Sequence, residues 1–265
     1  MLHGLETVLS SLGPSAVAVS GGVDSMTLAA LAHRLVGPDR VEMMHAVSPA
    51  VPPEATERVR IWADREGWNL RMLDAGEFGD ARYLGNPVNR CFFCKTNLYA
   101  TIASLTERQI LSGANTDDLG EYRPGLDAAR NQRVRHPYLE AAIDKRTIRE
   151  LARNLGLGDV AELPSSPCLA SRVQTTIPID PDVLKAVHQI EILVGRHLAA
   201  KTVRCRVRRD GIVIELDREG LARILTMQRG ELSGAIADLL PASLSGKSIG
   251  FELYRNGSAF VGAKS

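Results

Sequence analysis

Short apolar runs alternate with longer amphipathic ones along the first two thirds of the chain. Residues 15–19 read Ser-Ala-Val-Ala-Val, a short buried strand. Met26, Leu28, Ala29, Leu31, Ala32 and Leu35 then recur at helical spacing and predict a helix over 25–35. Residues 41–46 predict a second strand. An amphipathic helix over 54–66 follows, with Val59, Trp62 and Ala63 inward. Residues 69–73 predict a third strand, and a helix near 95–106 leads to a fourth at 109–112.

Strands alternating with helices predict a parallel sheet with helices on both faces. Right-handed crossovers bring the C-terminal ends of its strands to one edge, where such sheets bind ligands. Residues 20–25, 47–49 and 113–118 fall at that edge. Asp144 is the expected N-cap of a helix over 145–155 that Gly156 ends. A polar, Pro-containing stretch, 163–168, comes next, and the pattern changes soon after. A helix over 182–197 precedes strands at 201–207 and 212–216, joined through Arg209-Asp210-Gly211 as a hairpin. Helical sequence runs to about 240. A second hairpin is expected from 248–255 and 258–261 around Asn256-Gly257. The expected fold is α/β over residues 1–177, followed by a small α+β domain over 178–265.

Composition narrows the classes. The 265 residues are 45% hydrophobic and 24% charged, ordinary for a globular protein. A net charge of +1 gives no support to a nucleic-acid coat or a membrane surface. No run approaches the about 18 apolar residues of a membrane span. The N-terminus has no signal-peptide pattern, so a cytoplasmic location is expected. In a reducing compartment, four cysteines point to metal binding or catalysis more than to disulfides.

The sharpest local signal is Ser20-Gly21-Gly22-Val23-Asp24-Ser25, between a strand and a helix. Glycines let a backbone approach a phosphate, and the helix N-terminus attracts the anion. Ser20 and Ser25 add hydroxyls. Asp24 is suited to positioning the loop or a Mg²⁺ ion. The Gly-Lys-[Ser/Thr] ending of a Walker A loop is absent.

Cys91-Phe92-Phe93-Cys94 is a CxxC, and Cys168 is a third cysteine in a Ser/Pro-rich loop. The pair alone suits a zinc half-site, a redox pair or coincidence. With Cys168 it suits a [4Fe-4S] cluster that leaves one iron open. Cys205 alternates with Val203 and Val207 and reads as a buried small hydrophobe.

The loop resembles the PP-loop of the ATP pyrophosphatase superfamily. More specifically, Asn86-Pro87-Val88-Asn89-Arg90-Cys91-Phe92-Phe93-Cys94-Lys95 is similar to a signature of the LarE family. So are Gly113-Ala114-Asn115-Thr116-Asp117-Asp118, Tyr122-Arg123-Pro124-Gly125, Ser166-Pro167-Cys168-Leu169-Ala170-Ser171-Arg172 and Thr202-Val203-Arg204-Cys205-Arg206. The resemblance implies an ATP-dependent sulfur transferase. Its substrate would be pyridinium-3,5-biscarboxylic acid mononucleotide, with each carboxylate adenylated and then converted to a thiocarboxylate. Cys168 would be the sulfur-bearing residue, either giving up its own sulfur or joining Cys91 and Cys94 in holding a [4Fe-4S] cluster. The presence of all three cysteines favours the cluster. The resemblance also implies a small-molecule nucleotide substrate, a homo-oligomer, and neither nucleic acid nor membrane as partner.

Further roles follow from position. Ser48 and Gly113 lie at strand ends, where the adenine and ribose of ATP would sit. Arg123 and Arg130 are candidates for phosphate or AMP. Arg172 is suited to gripping a carboxylate bidentately. Arg204, Arg206 and Arg208 make one strand face cationic, either as a solvated edge or as a site for an anionic mononucleotide. Glu191, on the preceding helix, is the expected partner of that face. One departure stands out: residues 173–176 read Val-Gln-Thr-Thr where the family has an aromatic-Gly turn. This leaves room for another carboxylate acceptor. A tRNA thiolase with a cluster and a non-catalytic nucleotide-binding or redox-sensing module are the competing readings.

Overall fold

A computed structural model describes residues 2–120, 124–224 and 226–259. The elements of the first part, in chain order, are α1 (Leu2–Ser11), β1 (Ser15–Ala18), α2 (Val23–Val36), β2 (Val41–Ala46), α3 (Pro53–Glu66) and β3 (Asn69–Leu73). Then come α4 (Ala81–Leu84), α5 (Arg90–Leu105), β4 (Gln109–Leu111), α6 (Pro124–Asn131), α7 (Pro137–Glu140) and α8 (Lys145–Asn154). The remainder holds α9 (Pro181–Leu198), β5 (Val203–Val207), β6 (Ile212–Leu216), α10 (Arg218–Ala222), α11 (Thr226–Ala237) and β7 (Ile249–Leu253).

Two compact units emerge: residues 1–80 with 89–166, and residues 81–88 with 167–265. The first unit therefore ends before the pattern change seen near 177, and the short segment holding α4 joins the second unit.

The first unit is α/β. Its four strands are all parallel, in the order β3-β2-β1-β4. Alternation along the strands divides the core. Val17 and Met43 join one cluster with Met26 and Leu28 of α2 and Ile148 and Leu151 of α8. Their neighbours Ala16 and Met44 join another with Tyr99 and Ile102 of α5. Strands buried on both faces read as continuous apolar runs, which is why β1 and β2 are legible in the sequence. Helix α1 carries the same kind of signal, with Leu5, Leu9 and Leu12 buried. The sheet places β1 and β4 side by side, although β2 and β3 lie between them in sequence. It reverses its direction of growth there, and the crevice beyond the C-terminal ends of those two strands is where such sheets hold ligands.

The second unit has a three-stranded sheet in the order β5-β6-β7. β5 and β6 pair antiparallel, as the Asp-Gly signal predicts. α9 packs on β5, burying Val183, Leu184, Val187, Ile190 and Val194 at helical spacing. The expected second hairpin is corrected. β7 pairs parallel with β6, and residues 258–259 are in a turn rather than a strand; 260–261 lie outside the described residues. A parallel neighbour needs a long crossover, and α10 and α11 supply it.

Among the described residues, no helix is long and apolar enough to cross a membrane.

Candidate active site

The phosphate-type loop links β1 to α2 at the sheet's switch point. Gly21 has φ +79°, and a Cβ there would lie 2.6 Å from the carbonyl oxygen of Ala55. Arg58 of α3 donates to the Gly21 carbonyl at 2.8 Å and holds the turn from the other side. Ser25 accepts from the Ser20 N–H at 3.0 Å and donates to the Gly22 carbonyl at 3.2 Å, closing the loop on itself. Gly22, the N-cap of α2, offers no side-chain cap. The first-turn N–H groups of a 14-residue helix are therefore left to a ligand, and an anion suits them. Gly21→Ala is expected to cost about 1–2 kcal/mol for the left-handed backbone alone. The close carbonyl must also move, so nucleotide affinity should fall with it. Thermal melts with and without ATP test both.

Asp24 is gripped by Lys145, the first residue of α8. Its other oxygen, Oδ1, is buried and has no hydrogen-bond partner. Burial holds the Asp24 carboxyl above the ordinary carboxylate range, with the Lys145 bond pulling it back and the charge of Asp118 adding to the rise. Mg²⁺ is commonly held by one or two carboxylates together with substrate phosphates. Asp24, with Asp118 close enough to act on its charge, fits that donor set.

Two further groups brace the loop, and sequence reasoning missed both. His45 on β2 bonds the Val19 carbonyl at 2.7 Å and Thr56 of α3 at 2.9 Å, fully inside the core. Burial pulls its imidazole below the ordinary range, and both ring nitrogens are engaged. Tyr138 of α7, also buried, donates to the Asp24 carbonyl at 3.1 Å.

The remaining nucleotide candidates separate. Ser48 lies just past β2, where its hydroxyl accepts from the Ala50 N–H at 3.3 Å. Gly113 follows β4, and a Cβ there would stand 3.0 Å from the Ser25 nitrogen. Its smallness thus lets the β4 loop lie against the start of α2. Arg130 is exposed on α6 and pairs with Asp127. Arg123 lies outside the described residues.

Cys91 and Cys94 sit in the first turn of α5, which starts at Arg90 and not near 95 as expected. They are three residues apart on a helix and so share a face. Cys91 is exposed and Cys94 half-buried. Both belong to the first unit, and Cys168 to the second. Among the described residues, no group of three or more His, Cys, Asp or Glu is gathered to hold a metal ion. The structure therefore gives a cluster no support.

In the second unit Cys168 opens a short 3-10 turn, Leu169–Arg172. Arg172 is buried beneath it. Its fork grips both oxygens of Glu191 at 3.0 Å, and its remaining nitrogen donates to the carbonyls of Pro167 at 2.6 Å and Cys168 at 3.3 Å. The carboxylate that Arg172 holds bidentately is thus Glu191's own. Glu191 also accepts from the Cys205 N–H of edge strand β5 at 2.9 Å. The bidentate partner of Glu191 is thus Arg172, and its charge also acts favourably on Arg204. Arg206 pairs with fully buried Glu215 at 2.8 Å and donates to the Ser171 carbonyl at 3.0 Å. Arg208 bridges Glu215 and Glu252, which face each other across β6 and β7. The arginine face of β5 is not a solvated edge: its charges are matched by those of the neighbouring strands. Arg204 lies over the Tyr254 ring at 5.9 Å. Burial and the like charge of Arg172 lower its guanidinium from the ordinary value. Cys205 is fully buried, and its thiol is pushed up by that burial.

The divergent residues 173–176 are tightly held. Asn86 donates to the carbonyls of Gln174 and Ile177 at 2.9 and 2.8 Å and accepts from the Thr176 N–H. Thr176 has φ +74°, strained for a β-branched residue.

The chain is 34% identical to the uncharacterised protein slr1717 of Synechocystis, over 87% of each chain. It is 27% identical to the pyridinium-3,5-bisthiocarboxylic acid mononucleotide synthase of Lactiplantibacillus plantarum, over 80% of this chain and 78% of that one. This named relative and the signatures of the sequence support the LarE family. A subunit of the glutamine-hydrolysing GMP synthase of Methanopyrus kandleri is 30% identical over 67% of this chain and 61% of its own. These two named relatives support an enzyme of the ATP pyrophosphatase family. No family model matches it.

Proposed function

We propose that this protein uses ATP to adenylate the carboxylates of pyridinium-3,5-biscarboxylic acid mononucleotide and exchanges them for thiocarboxylates. The observation that carries the reading is the uncapped, glycine-strained loop of Gly21 and Gly22 at the switch point between β1 and β4. The named synthase relative supports the substrate class.

A carboxylate is a poor electrophile. Attack of its oxygen on the α-phosphorus of ATP releases pyrophosphate and gives an acyl-adenylate. A sulfur nucleophile then attacks the carbonyl and AMP departs. On this reading the loop N–H groups bind the phosphates, Asp24 and Asp118 would hold the nucleotide's Mg²⁺, and Cys168 carries sulfur. Arg172 and Glu191 fix the Cys168 turn, and Arg204 is close enough to that pair for their charges to act on it. The three-cysteine pattern alone supports a [4Fe-4S] cluster, which would supply bound sulfide.

The test is anaerobic turnover of the purified protein with ATP and the dicarboxylate mononucleotide. Pyrophosphate, thiolated product, iron, sulfide and intact protein mass are all measured. Substrate-dependent pyrophosphate and thiolated product are expected, and bound iron with an unchanged mass would assign the sulfur to a cluster. A mass loss of about 34 Da, one H₂S from a cysteine, would remove the cluster and make Cys168 a consumed donor. Absence of substrate-dependent pyrophosphate would overturn the function itself.

A further inference from the structure

The ion pair between Asp24 and Lys145 joins residues 121 positions apart in sequence. A carboxylate in the first turn of α2 sits where the loop should attract phosphate, so it works against anion binding unless a cation accompanies it. Lys145 is that cation. It stands at the first position of α8, and Asp144 caps this helix by accepting from the Thr147 N–H at 2.8 Å. The pair is part-exposed, with side-chain accessibilities of 31% and 27%, so it contributes little to stability. Its surroundings are nonetheless built to hold it in place. Tyr138 fixes the Asp24 backbone. Arg149, one turn along α8, is spent on the carbonyls of Ala161 and Leu163. The ammonium of Lys145 has three donors, whereas Asp24 retains one buried oxygen without a partner.

We propose that Lys145 binds the outer phosphates of the nucleotide and takes up the charge of the departing pyrophosphate, with Asp24 holding it over the loop beforehand. This rests on the ATP reading above. In the step concerned, the substrate carboxylate oxygen forms a bond to the α-phosphorus. The bond from that phosphorus to the oxygen bridging to the β-phosphorus breaks, and the electron pair stays on the bridging oxygen. No proton moves. The new negative charge on pyrophosphate is met by the ammonium of Lys145, and Asp24 would be among the residues that hold the Mg²⁺ of the nucleotide.

Calorimetric titration of the full chain with Mg²⁺-pyrophosphate, and separately with AMP, tests this. Lys145→Met should weaken pyrophosphate binding by roughly tenfold or more and leave AMP affinity within about twofold. Lys145→Arg should recover most of the loss. Asp24→Asn, which keeps Lys145, should bind metal-free pyrophosphate at least as well as the wild type, whereas Asp24→Asn combined with Lys145→Met, which leaves no lone carboxylate, should fold and lose that affinity. A second measurement uses the unaltered protein. Mg²⁺-pyrophosphate should protect Lys145 from an amine-acetylating reagent, read by peptide mass, while AMP should not. Wild-type pyrophosphate affinity in Lys145→Met, or unprotected Lys145 in the saturated wild type, overturns the proposal. If the wild type binds neither ATP nor AMP, it is the ATP reading that fails.

Discussion

Cys168→Ser should abolish thiolated product, by roughly a thousandfold or more, the scale on which loss of a covalent participant acts. ATP binding should stay within about twofold, because the variant differs by one atom outside the unit that holds the loop. The backbone of the turn supports so clean a substitution. The Cys168 carbonyl accepts from the Ser171 N–H at 2.9 Å and from Arg172, and neither bond uses the thiol. Serine keeps the shape and removes the sulfur. The measurement is product formation beside ATP titration, for Cys168→Ser and for Cys91→Ser. Full thiolation by Cys168→Ser would sink the assignment and move the sulfur to the Cys91–Cys94 face of α5. Loss of ATP binding in the same variant would mean that Cys168 acts through the fold.

What could be read beforehand follows the range of the forces involved. The strand, loop and helix around residues 20–25 were legible because burial on both faces leaves an unbroken apolar run and the turn itself needs glycine at Gly21. Those are local requirements. Asp24 and Lys145 meet only because α2 and α8 pack together, and no short-range pattern announces that. Glu191 is legible as a partner of the arginine cluster, but its bidentate partner Arg172 is not. Alternation puts Arg204 and Arg206 on one face, but cannot tell that Arg172, from a turn 19 residues upstream, reaches Glu191 with its whole fork. The second hairpin failed for a similar reason. Asn256-Gly257 is a sound turn signal, whereas the partner of β7 was set by the crossover through α10 and α11.

The second large effect falls on stability. Glu215→Ala should destabilise the protein by about 3–5 kcal/mol, the cost of leaving a buried charge without its partner. Glu215 is fully buried, and the Arg206 side chain is only 6% exposed. Arg208 also bonds Glu215 and would be left to Glu252 alone. The alanine removes one negative charge from between two arginines and puts nothing in the space. Denaturant unfolding followed by far-ultraviolet circular dichroism, which reads both units, measures the change, since Trp62 and Trp68 both lie in the first unit. A loss under about 1 kcal/mol would show that Arg206 is satisfied without Glu215. Glu215→Leu with Arg206→Met should recover much of the stability, since an apolar pair of similar volume carries no desolvation cost. Activity should separate from stability here. Arg206 donates to the Ser171 carbonyl inside the turn that begins at Cys168. The apolar pair should therefore fold yet transfer sulfur poorly, because the turn has lost one of its fixed points. If the double variant is both stable and fully active, the charge of Arg206 serves neither the turn nor an anionic substrate.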